Sequence, residues 1–299
     1  MKVIEIPNGR LGNGIFRYLA AVLLQIEYGA QRIYNQSECY KTQTVVINDD
    51  NYIQLLSSIE KNRDLFENIT IMLNGYFQFD IYASAKDKIL KFLREHPNDI
   101  IYGTDLNRRL IQNRVEELIH SPEDIRKYDI VIHVRLEDFI TTNNMIHPKT
   151  LITLINDIAS AITNTPRTPI AAIVCNKITT DIEKKYIQYI YDHSKLSLFF
   201  ESNDIITDFH IMKNARILVC SLSTLSWCAA LLSENVQKVY VPKNRTGGHQ
   251  TFLQPIENTI IYDNIFCDKN DLEKLFYEEA ALETSDEKKM VMNVLSTLL

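Results

Sequence analysis

Residues Asp129–Phe139 read D-I-V-I-H-V-R-L-E-D-F, a β-branched run that ends in a histidine, an arginine and two carboxylates. Four of the six residues from Ile130 to Arg135 are Ile or Val, the composition of a strand buried on both faces of a parallel sheet. Such a strand delivers His133 and Arg135 to its C-terminal edge, which is where open α/β sheets bind ligands. A guanidinium fixed there offers a planar fork of donors to a phosphate and keeps its charge at neutral pH. The stretch therefore predicts a parallel α/β fold with a site for a phosphorylated donor. Two plainer readings stand beside it: Arg135 paired with Glu137 or Asp138 in a structural network, and His133 as a core histidine.

Downstream the alternation is regular. Helices are predicted over Pro148–Ile162, Thr179–Asp192, Asp204–Asn214 and Ser226–Leu232, and strands over Pro169–Cys175, Leu196–Phe200, Arg216–Cys220 and Lys238–Val241. Strands that alternate with helices imply a doubly wound parallel sheet. Upstream, Lys2–Ile6 reads as a strand, Asn8–Gly14 as a loop and Ile15–Tyr28 as an apolar helix. Three of the eight glycines, Gly9, Gly12 and Gly14, fall in that loop, so its backbone is either a tight turn or a place of positive φ or close ligand approach. The spacing is not G-x-G-x-x-G.

Short strands near Thr44–Ile47 and Ile69–Leu73 follow, then an aromatic segment, Asn74–Ala83, and an amphipathic helix over Ser84–His96. The aromatics read as core or as a wall for a sugar ring. The charged segment Asn107–Lys127 is taken as the junction between two units. The expected fold class is α/β, two Rossmann-like domains facing a cleft. These are an N-terminal domain at 1–125, a C-terminal nucleotide-binding domain at 126–267 and a helical, acidic tail at 268–299 packing back across the junction.

A length of 299 residues suits two domains. A net charge of −6 gives no general attraction to nucleic acid or to an anionic membrane, so any phosphate site is local. Met1–Ile6 already reads as a strand, and no apolar run is long enough to span a bilayer, so a soluble, cytoplasmic protein is expected. Cys39, Cys175, Cys220, Cys228 and Cys267 make no C-x-x-C pair and read as reduced thiols, Cys175 and Cys220 in the core. There is no H-E-x-x-H, P-loop, cysteine–histidine metal spacing or G-x-S-x-G elbow. Asp49-Asp50 lies in a polar N-D-D-N turn and is assigned to a loop.

Three places are expected at C-terminal strand ends. They are His133 with Arg135 and Asp138, the helix carrying Asp208, and Cys220–Trp227 (C-S-L-S-T-L-S-W), where four hydroxyls in six residues precede a helix. Hydroxyls and free N–H groups at a helix N-terminus suit an anion; singly, each hydroxyl is equally a helix cap.

Taken together, the motifs resemble the α-1,2-fucosyltransferases of glycosyltransferase family 11. G-R-L-G-N-G-I-F-R-Y (Gly9–Tyr18) resembles the family's G-x-L-G-N-Q-x-F-Q-Y opening, and N-G-Y-F-Q (Asn74–Gln78) its G-Y-x-Q segment. H-V-R-L-E-D-F (His133–Phe139) resembles H-x-R-R-G-D-Y. The block Asp208–Ala230 resembles N-S-S-F-S-W-W-A-A, and V-P-K-N (Val241–Asn244) the A-P-K-x-W turn. The matches run in order over roughly the first 245 residues.

The resemblance implies a GT-B type fold and inverting transfer of L-fucose from GDP-fucose to a sugar hydroxyl, with no cofactor and no required metal. Its partners would be the nucleotide-sugar donor and a carbohydrate acceptor, with the 2-OH of a galactoside the expected target. It implies Arg135 on the β-phosphate, His133 and Asp208 against the guanine and its ribose, and Ser223 and Thr224 on phosphate oxygens. The loop with Gly12 and Asn13 would face the donor across the cleft. Asp138, Glu137 and Asp80 are candidates for the base, Asp138 chosen because it adjoins the phosphate-binding strand. The chain departs from the pattern at Leu136, where the family has a second arginine, at Glu137, where it has glycine, and at Arg245, where it has an aromatic. A different nucleotide-sugar donor, or a glycan-binding or scaffold protein without turnover, are the alternatives.

Overall fold

Two parallel sheets organise the chain. In the computed structural model, which describes residues 1–34, 42–105, 107–162, 168–243 and 258–279, the N-terminal unit runs β1 (Lys2–Glu5), α1 (Leu11–Tyr28), β2 (Gln31–Arg32), β3 (Gln43–Ile47), α2 (Asp49–Lys61), β4 (Ile69–Leu73), α3 (Ile81–Ser84) and α4 (Lys86–Glu95). Its sheet has the order β2-β1-β4-β3, with every pairing parallel. An antiparallel hairpin, β5 (Ile100–Thr104) with β6 (Leu110–Arg114), and a short helix α5 (Glu116–Ile119) connect it onward.

The second unit runs β7 (Ile130–Val134), α6 (Asp138–Thr142), β8 (Met145–Ile146), α7 (Pro148–Ala161), β9 (Ala171–Cys175), α8 (Asp181–His193), β10 (Leu198–Glu201) and α9 (Ile205–Lys213). It continues through β11 (Ile217–Val219), α10 (Thr224–Leu231), β12 (Lys238–Pro242), β13 (Thr259–Tyr262) and β14 (Phe266–Cys267). Six strands form a parallel sheet of order β10-β9-β7-β11-β12-β13, and β14 pairs antiparallel with β8. From β7 the chain winds outward through β9 to β10, then returns to β11 on the other side. The order reverses between β7 and β11, and such a switch point is where a doubly wound sheet opens a crevice. This is the α/β architecture of two Rossmann-like domains that the alternation predicts.

The strand alternation of β7 divides two cores. Ile130, Ile132 and Val134 enter one apolar layer with Leu151, Ile155, Tyr186 and Ile190 of α7 and α8. Val131 faces the opposite layer with Phe209 of α9 and Trp227 of α10. That second layer also takes Leu11, Ile15 and Phe16 of α1, so the two units share a core, with the Phe16 and Trp227 rings stacked at 4.8 Å. The opposite side of α1 places Ala20, Ala21 and Leu24 against Val3 and Ile71 of the N-terminal sheet. Helix α1 is thus apolar all round because it is packed all round.

Several local expectations are corrected. Helix α1 begins at Leu11, so Gly12 and Gly14 lie in its first turns instead of in a loop, and Gly9 alone of the three has positive φ, +75°. A Cβ on Gly12 would stand 2.3 Å from Thr224 Oγ1, and one on Gly14 2.3 Å from the Tyr102 carbonyl oxygen. These two glycines serve close approach of protein to protein. Asp49 opens α2, capped by Asn48, and its Oδ1 accepts the backbone N–H of Tyr76 at 3.0 Å. Of the aromatics in that segment Phe77 and Tyr82 are core, whereas Tyr76 is exposed. The segment taken as a charged junction contains β6. The helix that starts at 269 buries Leu272 and Leu275 in the same layer as α7 and α8, on the second unit. Cys175, Cys220, Cys228 and Cys267 are free and buried; Cys39 and Asn244 lie outside the described residues. Among the described residues no helix is long and apolar enough to cross a membrane.

Candidate active site

A cleft of about 310 Å³ opens at the switch point, lined on one side by Arg10, Leu11 and hairpin residues Thr104, Asp105, Ile111 and Asn113, and on the other by His133, Arg135, Glu137, Asn203, Asp208 and Ser223. Strands β7 and β11 are neighbours in the sheet, so the residues that follow them emerge side by side. His133 Nδ1 and Ser221 Oγ are 2.9 Å apart, a bond that ties the two strand ends together. Ser221 Oγ also accepts the Ser223 N–H at 3.2 Å. A hydroxyl carries one donor and two lone pairs, so Ser221 can meet either tautomer of the His133 ring at Nδ1. Burial, reinforced by the Arg135 charge, pushes the His133 pKa down to about 3, so the imidazole is neutral at physiological pH.

Arg135 is the cation of the site. Its Nη2 donates to Asp138 Oδ1 at 3.0 Å and Oδ2 at 3.2 Å, its Nη1 to Ser223 Oγ at 3.4 Å, and its guanidinium lies 4.8 Å over the Phe139 ring. Burial lowers its pKa and Asp138 opposes that, yet a guanidinium stays charged. Ser223 caps α10, accepting the Leu225 N–H at 3.3 Å. A hydroxyl, a helix N-terminus and a guanidinium therefore converge where an anion would sit.

Alternation also accounts for the leucine at 136. Leu136 follows Ile130, Ile132 and Val134 on the same face of the chain and is 0% exposed in their layer. A guanidinium there would be buried among aliphatics with no partner. The site instead receives Arg10 from the loop before α1. Its Nη1 meets Glu137 Oε2 at 2.8 Å and its Nη2 lies 3.9 Å from Asp138 Oδ1. The two guanidinia thus come from opposite walls.

Asp208 sits in the first turn of α9 and accepts the backbone N–H and side-chain Nδ2 of Asn203 on Oδ1, both at 3.1 Å. Burial pushes its pKa up to about 6, partly offset by the Asn203 donors. Neutral and ionised forms are both accessible near pH 6, so it can donate or accept a hydrogen bond to a ligand.

Of the residues singled out from sequence, His133, Arg135, Glu137, Asp208 and Ser223 line the cleft together. Gly12, Asn13, Thr224 and Asp138 stand outside its lining. Gly12 packs on Thr224 at the α1–α10 contact, and Asn13 Oδ1 accepts from Gln78 Nε2 at 2.9 Å. Asp138 orients Arg135 from behind. Asp80 is exposed ahead of α3 and away from the lining. Arg10, Asn113, Asn176 and Asn203 were not anticipated. Asn176 could have been found as the first polar group beyond β9 on the edge that holds Arg135.

No protein-family model matches the chain, and no curated protein matches it by sequence. Among solved structures, POFUT1 in complex with GDP-fucose matches at a TM-score of 0.41 and 8% identity, covering 80% of this chain and 97% of that one. POFUT1 with GDP matches at 0.38 and 8%, with the same coverage. E. coli heptosyltransferase WaaC with ADP-2-deoxy-2-fluoro heptose matches at 0.39 and 10%, covering 88% and 93%.

Proposed function

We propose that the chain is a GT-B type glycosyltransferase that takes a sugar from a nucleoside diphosphate and passes it, with inversion, to a hydroxyl of an acceptor sugar. The observation that carries the reading is the convergence of Arg135, the Ser223 hydroxyl and the N-terminus of α10 at the switch point, faced by Arg10 across the cleft. Two cations and free helix N–H groups suit a diphosphate, whose leaving oxygen gains charge as the glycosidic bond breaks.

Within this reading the donor is GDP-fucose and the acceptor a galactoside, on the resemblance of the His133–Phe139 and Gly9–Tyr18 motifs to the α-1,2-fucosyltransferases. The diphosphate lies between Arg135 and Arg10. His133 faces the donor with its Nε2. Asp208, next to Asn203 and Ile205, presents its carboxylate to the N–H edge of the guanine. The acceptor enters along the hairpin wall formed by Thr104, Ile111 and Asn113. Charge neutralisation comes from arginines, so turnover persists in a chelator.

Calorimetric titration with GDP and UDP tests the donor, and transfer from GDP-fucose to a panel of galactosides tests the reaction. Tighter binding of UDP than of GDP removes the fucose reading. Transfer of a sugar from another donor keeps the enzyme and changes its substrate.

A further inference from the structure

Glu137 occupies a backbone conformation that suits glycine. Its φ of 38° and ψ of −114° lie outside the regions L-residues ordinarily use, where only glycine sits without cost. Two bonds pin the turn: Leu136 N–H to Asn176 Oδ1 at 3.0 Å, and Glu137 N–H to Glu183 Oε1 at 3.2 Å. Glu183 is itself fixed, its Oε2 accepting the Thr179 and Thr180 N–H groups, each at 2.8 Å. The strained turn places Glu137 in the lining of the cleft, two residues on from Arg135.

The other carboxylates near the cleft are engaged by donors from their own wall. Asp105 accepts the Asn107 and Arg109 N–H groups and Arg109 Nε within its own hairpin turn. Asp208 is held by Asn203. Asp138 is gripped on both oxygens by Arg135. Glu137 is held by Arg10, 127 positions away in sequence and on the opposite wall. An incoming diphosphate competes for that guanidinium with the greater charge. A carboxylate paired to a guanidinium is a poor base, and one released beside the bound donor is a better one.

We propose that Glu137 is the base that takes the acceptor hydroxyl's proton, and that Arg10 masks it until the donor's diphosphate draws the guanidinium away. The proposal rests on the glycosyltransferase reading above. In the step, the acceptor oxygen bonds to the anomeric carbon as the bond from that carbon to the β-phosphate oxygen breaks. The electron pair leaves with the diphosphate between Arg10 and Arg135, and the proton passes to Glu137. The masking gives the site an order, donor first and base second, which protects the base from acting before there is a sugar to transfer.

The test uses the full chain as wild type, Glu137→Gln, Glu137→Gly and Arg10→Ala, each checked for folding by circular dichroism. Affinity for GDP and kcat at saturating GDP-fucose are measured on each. Glu137→Gln is expected to bind GDP several-fold more tightly, because Arg10 no longer has to leave a carboxylate, while kcat falls by about 10²- to 10⁴-fold. Glu137→Gly is expected to regain turnover with added formate, and Arg10→Ala to bind GDP more weakly. Tighter binding together with slower transfer is a split that a merely structural role does not produce. An unchanged kcat in Glu137→Gln overturns the base, and weaker GDP binding in that variant overturns the masking. A wild type that transfers from no nucleotide sugar overturns the glycosyltransferase reading and the base with it, an outcome distinct from a wild type that transfers and a Glu137→Gln that equals it.

Discussion

Replacing Arg135 with alanine removes a cation that reaches the Ser223 cap of α10 from the end of β7. Two unit charges about 4 Å apart in an effective dielectric of about 20 interact by about 4 kcal/mol. Only the part of that interaction that grows as the leaving oxygen gains charge speeds the reaction. Losing one preorganised donor of this kind typically costs about 10²- to 10³-fold in rate, or about 3 to 4 kcal/mol. The guanidinium is largely shielded, its side chain 18% exposed, so water replaces it poorly and the loss belongs at the upper end of that range. Lysine rescues little, because its single ammonium cannot hold Asp138 and reach Ser223 together as the fork does. The assay is initial-rate sugar transfer at saturating donor, with GDP affinity measured separately. A turnover in Arg135→Ala equal to wild type would refute the placement of the diphosphate at β7.

Other expectations follow from particular contacts. Gly12→Ala puts a Cβ 2.7 Å from the Leu225 backbone nitrogen as well as against Thr224, so α1 and α10 must separate; a loss of about 1 to 3 kcal/mol is expected as a lower Tm. Glu137→Gly relieves the positive φ and should raise Tm even as transfer slows, by about 1 to 3 kcal/mol of stability; a lower Tm would show the turn to be unstrained. His133, held near 3 in the folded chain against about 6.5 unfolded, contributes stability that is full above about 6.5 and drains away as pH falls toward 3, and His133→Gln should flatten that slope in a Tm-versus-pH series. Asp208 has the opposite sign: raised to about 6 from about 3.9 unfolded, it favours folding below about 3.9 and loses that contribution as pH rises through 6. Asp208→Asn should therefore gain Tm at pH 8 relative to wild type and little at pH 4.

How much of this was legible in the sequence depends on the range of the interactions. The β7 run and the strand–helix alternation after it were readable because a twice-buried strand writes its environment into consecutive residues. His133, Arg135 and Ser223 could be placed at one edge for the same reason, since strand ends in a parallel sheet share a side. The hairpin wall left no such trace: Ile100–Thr104 and Leu110–Arg114 are short, and their pairing is settled by contacts with α1, where Gly14 meets the Tyr102 carbonyl. The start of α1 was misplaced because glycines signal a loop by propensity, whereas here they admit α10 and the hairpin to within backbone distance. Asp49, read as a turn residue, turned out to anchor Tyr76 and Phe77 across the N-terminal unit, a pairing that nothing local announces.

Leu136, Glu137 and Arg10 become one arrangement when the geometry is followed. Residue 136 points into the α7–α8 layer because it continues the inward alternation of Ile130, Ile132 and Val134, so a leucine there completes a core and a charge would strand itself. The site then carries one guanidinium from its own strand, and the diphosphate proposed for it calls for another. Arg10 supplies it from the facing wall, and a cation reaching across a cleft needs an anion to hold it when no ligand is present. Glu137 provides that anion, at the cost of a backbone conformation glycine would adopt freely. Leu136, Glu137 and Arg10 are thus coupled, and an arginine at 136 or a glycine at 137 would each change the partner that Arg10 has across the cleft.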